Sequence, residues 1–244
     1  MKKNSNIAII FAAGYGVRMG DGIPKQFLKV NKKPVLIHTL EIFQEHPEID
    51  KIYIATLEDY IPYVQTIVKK YQIDKVVDIL VGGATVHESV YNALTSAMRD
   101  NTGDDIVLIH DGVRPNVKKQ VISDNIKSVK EHGNAITCIK YHETILLSKN
   151  GKEAKKTVKR NEVYVAQAPQ SFRLQDIIEA HDKARATKGK YKDAVDSCTI
   201  MSEQGVEMYV VEGNRGNIKV TTPEDVYLFK ALLQYKESEQ AFGL

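Results

Sequence analysis

Asn6-Ile7-Ala8-Ile9-Ile10-Phe11-Ala12-Ala13-Gly14-Tyr15-Gly16-Val17-Arg18-Met19-Gly20 decides the fold. Asn6 to Ala12 is short and almost continuously apolar, the pattern of a strand buried on both faces, as in parallel sheets covered by helices. Glycines follow at once, where the chain must turn and where backbone N–H groups can approach a phosphate closely. A dinucleotide fingerprint wants its third glycine where Met19 stands, and Gly20 comes one residue late. A Walker loop would close on Gly-Lys-Ser/Thr, which is absent. Instead Arg18 and Lys25 follow within one loop, and two cations beside a glycine turn suit a triphosphate.

Outward from this stretch, strand-like and helix-like segments alternate. The spacing predicts helices over 34–46 and 61–71 and strands over 51–55 and 76–81. Gly82-Gly83 breaks the chain, and Thr85-Val86-His87-Glu88 has the spacing of a capping box, opening a helix to about Met98. A buried strand over 106–110, a helix through His132 and a strand over 135–139 follow. From Lys140 to Val165 the alternation lapses around a turn signal at Asn150-Gly151, which predicts a hairpin-like arm. Helices near 174–188 and 194–204, a strand over 208–211 and a last helix started by Thr222-Pro223 complete the chain. The expected fold is α/β, one Rossmann-like domain over 1–244 with a doubly wound, mostly parallel sheet and a protruding β-arm.

The composition narrows the partners. With 244 residues, 43 % hydrophobic and 27 % charged, the chain is an ordinary globular one that needs no staples. The apolar run from Ile7 to Ala13 is too short for a membrane span and at the short limit for a signal peptide. A net charge of +3, without a basic face or clustered aromatics, argues against nucleic acid and leaves most charge as solvated surface. Two cysteines, Cys138 and Cys198, are too few for a disulfide framework or a four-thiolate zinc site, and a reduced cytoplasmic setting is expected.

Two further stretches carry chemistry. His110-Asp111-Gly112-Val113-Arg114-Pro115 ends a central strand, and in open α/β sheets ligands bind beyond the carboxyl ends of strands. Asp111 and Arg114 there could pair with each other, position a lysine, or meet ligand or metal, whereas His110 reads as a packed strand-end histidine. In Gly216-Asn217-Ile218-Lys219-Val220-Thr221, a lysine between apolar neighbours on a short strand would point away from them, free to enter a site as a point charge.

At these places the sequence resembles the cytidylyltransferases that act on polyol phosphates, the family of the 2-C-methyl-D-erythritol 4-phosphate and ribitol 5-phosphate enzymes. The resemblance runs in order through the Ala-Ala-Gly loop, Pro24-Lys25-Gln26-Phe27, Gly82-Gly83, His110-Asp111 through Arg114-Pro115, Arg160-Asn161, Pro169-Gln170 and Asn217-Ile218-Lys219-Val220-Thr221. It implies a CTP site in which Ala12, Ala13, Gly14 and Gly16 wrap the triphosphate, with Arg18 and Lys25 on its charges. Gly83 and Ser89 would hold the cytidine, and Asp111 and Lys219 would sit near the reacting phosphates. Arg114 and Asp196 would meet the acceptor, and Thr144 and Arg160 on the arm would reach the acceptor phosphate of a partner subunit in a homodimer. Without the family, Thr144 and Arg160 read as exposed arm residues and Ser89 as a helix-surface hydroxyl.

The chemistry can be argued forward. An acceptor phosphate attacks the α-phosphorus of CTP in line and pyrophosphate leaves. A phosphomonoester with its second pKa at about 6 is largely dianionic at neutral pH and needs no general base. Positioning and charge neutralisation suffice, from arginines, lysines and a Mg²⁺ carried with CTP. Against the erythritol-type pattern, this chain has Ala168-Pro169-Gln170 in place of Thr-Pro-Gln, Val195-Asp196 in place of Thr-Asp, and Val86 in place of an arginine. Losing two hydroxyls removes possible hydrogen bonds to a polyol, which favours ribitol 5-phosphate or a similar acceptor, with methylerythritol 4-phosphate the alternative. A nicotinamide-dependent oxidoreductase shares the strand, glycine turn and helix but is disfavoured by Met19 and the two loop cations. A metal-holding glycosyltransferase would want an Asp-x-Asp, and none occurs. A non-catalytic module would bind CTP without releasing pyrophosphate.

Overall fold

The computed structural model describes residues 4–14, 22–187, 191 and 196–242, with side chains described as far as residue 238. Seven strands form the main sheet: β1 (Asn6–Ala12), β4 (Lys51–Thr56), β5 (Val76–Val81), β6 (Ile106–Asp111), β7 (Asn134–Lys140), β10 (Tyr164–Arg173) and β11 (Val210–Glu212). Their order is β11-β7-β10-β6-β1-β4-β5. All neighbours run parallel except β10, which is antiparallel to both β6 and β7. Two short pairs stand apart: β2 (Lys29–Val30) with β3 (Lys33–Pro34), and β8 (Leu146–Leu147) with β9 (Lys156–Thr157).

Strand alternation sorts the core. On β1, Ala8 and Ile10 face one side and Ile7 and Ile9 the other, and all four are fully buried. The first side packs under helices α1 (Val35–Gln44), α2 (Ile61–Lys70) and α4 (Lys119–His132) through Leu36, Leu40, Val64, Ile67, Ile122 and Ile126. The second packs under α3 (Val86–Asp100), α5 (Leu174–Ala186) and α6 (Ser197–Ser202) through Val90, Leu94, Ile177 and Ile200. The last helix, α7 (Pro223–Phe242), closes a smaller cluster in which Phe229 meets Val30, Val35, Val113 and Val220.

From β1 the chain winds outward through β4 and β5, then returns to lay β6 on the other side of β1. The carboxyl ends of β1 and β6 therefore flank the point where the order reverses, where open α/β sheets have their crevice. The expected capping box forms: the Glu88 N–H donates to Thr85 Oγ1 and the Thr85 N–H to Glu88 Oε2, 3.2 Å each. The arm is present as the β8–β9 pair, with Gly151 in a left-handed conformation at its turn.

The differences from expectation are local. The strand expected over 208–211 is Val210–Glu212, and the helix expected over 194–204 is described from Ser197 to Ser202. The strand expected around Lys219 is irregular chain. The largest difference is β10, a ten-residue strand absent from the periodicity reading. Its Gln167-Ala168-Pro169-Gln170-Ser171 run is polar and contains a proline, yet it is buried. The structure accommodates this with a bulge: between the pairs Ala166–Cys138 and Gln170–Ile136, the three residues 167–169 stand opposite Thr137 alone. Thr137 Oγ1 donates to the Pro169 carbonyl at 2.7 Å, and Asn217 Nδ2 to the Ala168 carbonyl at 2.7 Å, so these two carbonyls of the bulge are satisfied by side chains.

Candidate active site

Asp111 is the last residue of β6 and almost fully buried. Its Oδ2 accepts from Arg114 Nε at 2.8 Å, and Lys219 Nζ lies 2.5 Å from its Oδ1. Burial alone would push the carboxyl up, but Lys219 and Arg114 outweigh it and hold the group below the usual carboxylate range. Arg114 Nη1 also donates to the Asn217 carbonyl at 2.9 Å. Asn116 Nδ2 donates to the Gly216 carbonyl, and Asn214 Nδ2 to the Asn116 carbonyl. These bonds strap the irregular 213–221 segment to the end of β6 and so deliver Lys219 to Asp111 without a strand. Lys219 remains partly exposed, a cation fixed at one side and open to the cleft at the other.

The cleft above this cluster measures about 710 Å³ with its open mouth included. Phe11, Ile109, Asp111, Arg114 and Lys219 line one part, Val86, His87 and Val90 of α3 a second, and Ala166, Gln167, Ala168, Gln170, Asp196 and Ser197 a third. Asp196 caps α6, with Oδ1 accepting from the Thr199 N–H and hydroxyl at 2.9 Å each. Its Oδ2 accepts from Gln170 Nε2 at 2.7 Å, and Gln170 Oε1 accepts from the Cys198 N–H at 2.8 Å. The structure thus brings Asp111, Arg114, Lys219 and Asp196 into one cleft. The residues 86, 87, 167, 170 and 197 join them, a convergence of distant segments that local patterns do not carry.

The glycine loop leaves the end of β1, whose Phe11 lines this cleft. Ala12 and Ala13 lead out of the strand to an exposed Gly14; Gly16 and Arg18 lie outside the described residues. The far side of the loop is anchored by buried Gln26, whose Nε2 donates to the Ala12 carbonyl at 2.7 Å, and by Phe27 stacked on Tyr60. Lys25 sits half-buried immediately before them. Against Ala13, Gly82 leaves no room for a side chain: an added Cβ would lie 2.3 Å from Ala13 Cβ and 3.0 Å from Ser89 Oγ. At Gly83 an added Cβ would lie 2.1 Å from Glu88 Cβ. Ser89 is buried rather than on the helix surface, because its hydroxyl accepts from the Gly83 N–H at 2.9 Å and donates to the Thr85 carbonyl at 2.9 Å. It therefore ties the Gly-Gly turn to the first turn of α3.

His110 is fully buried, tilted against the Phe43 ring, with Nε2 donating to the Arg114 carbonyl at 3.1 Å. Burial pushes its pKa down to about 4, so it stays neutral and packs as a strand-end residue. Thr144 and Arg160 are exposed on the arm and are not among the residues that line this cleft. Val195, the position of one lost hydroxyl, lies outside the described residues, while Ala168, the other, lines the cleft wall. Among the described residues, no three His, Cys, Asp or Glu side chains group as a metal cage, and no helix is long and apolar enough to cross a membrane.

Known proteins give a consistent comparison. The family model described as IspD, 2-C-methyl-D-erythritol 4-phosphate cytidylyltransferase, matches residues 6–235. A ribitol-5-phosphate cytidylyltransferase of Streptococcus agalactiae serotype III is 42 % identical over 98 % of this chain and 100 % of its own length. One from Vibrio parahaemolyticus is 41 % identical over 98 % and 100 %. A 2-C-methyl-D-erythritol 4-phosphate cytidylyltransferase of Clostridium botulinum is 38 % identical over 96 % and 99 %. Among solved structures, the 4-diphosphocytidyl-2C-methyl-D-erythritol synthase of Anaerococcus prevotii superposes with a TM-score of 0.82 at 27 % identity, covering 95 % of this chain and 96 % of that one.

Proposed function

This chain belongs to the IspD family of cytidylyltransferases, and from that premise we propose that it transfers the cytidylyl group of CTP to ribitol 5-phosphate with release of pyrophosphate. The observation that carries the reading is the buried Asp111 bracketed by Lys219 and Arg114 at the carboxyl end of β6, facing a cleft beside a glycine loop. In-line attack on the α-phosphorus crowds two anions together, and fixed cations at that point stabilise the charge that develops. Lys219 is held there by its ion pair, so little reorganisation is needed when the phosphates meet. The triphosphate lies along the loop from Ala12 to Lys25, with Arg18 and Lys25 on its charges, and the cytidine against Gly83 and Ser89. Because the Ser89 hydroxyl already closes the Gly-Gly turn, we assign it the shaping of the nucleoside pocket.

Mg²⁺ enters with the nucleotide in this reading. Magnesium is commonly held by one or two carboxylates together with substrate phosphates. Asp111 supplies a buried carboxylate at the floor of the cleft and fits that donor set. The ion would neutralise phosphate charge.

Ribitol 5-phosphate is supported by the relatives of that name at 41–42 % identity over their full lengths, and by an apolar Ala168 in the cleft wall. Methylerythritol 4-phosphate is the second reading, supported by the family model and the Clostridium relative. Pyrophosphate release from CTP and Mg²⁺ is measured with each acceptor in parallel. Release with ribitol 5-phosphate at least about tenfold faster is expected, since a site matched to one set of hydroxyls discriminates strongly against another. Faster release with methylerythritol 4-phosphate would replace the first reading with the second. The arm, exposed and with Leu146 and Leu147 61 % and 50 % open to solvent, supports a homodimer that brings Thr144 and Arg160 to the partner's acceptor phosphate. Sedimentation at micromolar concentration should give twice the chain mass, and a monomer after residues 142–162 are replaced by a short turn.

A further inference from the structure

The order of the sheet divides the cleft by side. β1, with the glycine loop at its end, lies on one side of β6, and β10 lies on the other. With the triphosphate along the loop and the reacting phosphates at Asp111 and Lys219, the β10 wall is left for the polyol chain of the acceptor. Most polar side chains on that wall are already engaged. Asp196 Oδ1 accepts from Thr199 and its Oδ2 from Gln170 Nε2, while Gln170 Oε1 accepts from the Cys198 N–H. Ala166 and Ala168 bring no polar side chain. Ser197 borders the cleft as well, but a hydroxyl that rotates fixes no direction.

Gln167 is held differently. It lies in the bulge of β10, borders the cleft and is only 7 % exposed. A short chain of bonds decides which way its amide faces. The Ala168 carbonyl can only accept, so Asn217 turns its Nδ2 toward it, at 2.7 Å. The same Nδ2 lies 3.4 Å from Gln167 Oε1, so Gln167 presents its oxygen to Asn217. That oxygen also backs onto Gly213, where an added Cβ would stand 2.7 Å from it. Neither Gly213 nor Asn217 borders the cleft, so the oxygen edge of the amide faces the 213–217 strap. Nε2 is on the other edge of the planar group, toward the cleft, and among the described residues nothing accepts from it.

We propose that Gln167 is a specificity-determining residue whose Nε2 donates a hydrogen bond to a hydroxyl of the acceptor polyol. This role rests on the reading that the cleft takes the polyol phosphate. An amide anchored at its oxygen loses little freedom when its nitrogen binds. A buried donor left unmatched is costly, so an acceptor that lacks the hydroxyl is disfavoured.

The test is steady-state kinetics with CTP and ribitol 5-phosphate on Gln167→Met and Gln167→Glu, each checked by thermal melting. Gln167→Met keeps the length of the side chain and removes both polar ends. Gln167→Glu keeps an oxygen for Asn217 and puts an acceptor where the donor stood. Both should raise the KM for ribitol 5-phosphate about tenfold, the effect of one lost hydrogen bond at a buried donor. The KM for CTP should stay within about twofold in Gln167→Met, a split that a general loosening of the fold would not give. An unchanged acceptor KM in either natively melting variant, or a matching rise in the CTP KM of Gln167→Met, overturns the inference, while wild-type turnover keeps the functional reading intact. Should neither variant melt natively, the side-chain amide resonances of Gln167 in isotope-labelled wild-type protein decide. Ribitol 5-phosphate added with CTP in the absence of Mg²⁺ should shift them, and unmoved resonances overturn the inference. A wild-type enzyme inert toward ribitol 5-phosphate fails the functional reading, and the inference falls with it.

Discussion

Asp111 and Lys219 lie 108 positions apart in the chain and 2.5 Å apart in space. Each was legible as a candidate because a motif surrounds it: an acid closing a buried strand, and a lysine between two apolar neighbours. Their pairing was not, because the bonds that deliver Lys219 come from Asn116, Asn214 and Asn217, whose partners are backbone carbonyls far away in sequence. His87 was invisible for a related reason. Its neighbours read it as one position of a capping box, yet it lines the cleft with the Tyr191 ring edge-on to its own. Replacing Lys219 by Ala should lower pyrophosphate release at least about 100-fold, the usual effect of losing a preorganised charge at a reacting phosphate. Native melting should persist, since Arg114 still pairs with Asp111. Turnover within tenfold of wild type would remove Lys219 from the chemistry.

Among the elements, α3 was the most legible and β10 the least. A capping box has a local cause, two side chains three residues apart, so the start of α3 follows from four letters of sequence. Thr85→Ala should cost about 1 kcal/mol through loss of that cap. The melting temperature should fall by about 2–4 °C for a chain of this size, as scanning calorimetry would read. Gly82→Ala probes the other end of the turn. With a Cβ driven against Ala13, the glycine loop must shift, and the KM for CTP should rise about tenfold or more while far-ultraviolet dichroism stays native. Strand β10 escaped detection because its polar residues are satisfied by partners from other elements. Ser171 donates to Asn125 Oδ1, Asn125 to Thr137, and Thr137 to the Pro169 carbonyl, a relay from α4 through β7 that periodicity cannot express.

At the scale of the whole molecule, the nearly continuous apolar run of β1 foretold a sheet covered on both faces, and the order reversal beside β1 puts the cleft where such sheets have one. The same burial sets a pH dependence. His110 is pushed down to about 4 by burial, and His181 down to about 3 by burial together with His87 and Arg185. In the unfolded chain both take up protons near their ordinary value of about 6.5, so below it the unfolded state binds more protons than the folded one. Stability should therefore be full above about pH 7 and fall as the pH drops toward about 4, by up to about 1.4 kcal/mol per unit for each histidine. Asp111, held low, adds a further loss only at more acid pH, as its folded carboxylate is protonated. Urea midpoints from pH 7.5 to 4.5 would show the fall, and His110→Gln should flatten part of it. The geometry of β10 also bears on which length changes this chain can survive. That strand leaves the arm at Tyr164, forms the cleft wall through its bulge, and ends in the core at Phe172. Residues added at the Gly151 turn lengthen only the tip of the arm. One residue lost between Tyr164 and Ala166 exchanges the two faces of the strand ahead of the bulge. In a lineage of such chains, the arm's tip is free to drift in length, while its root is counted residue by residue.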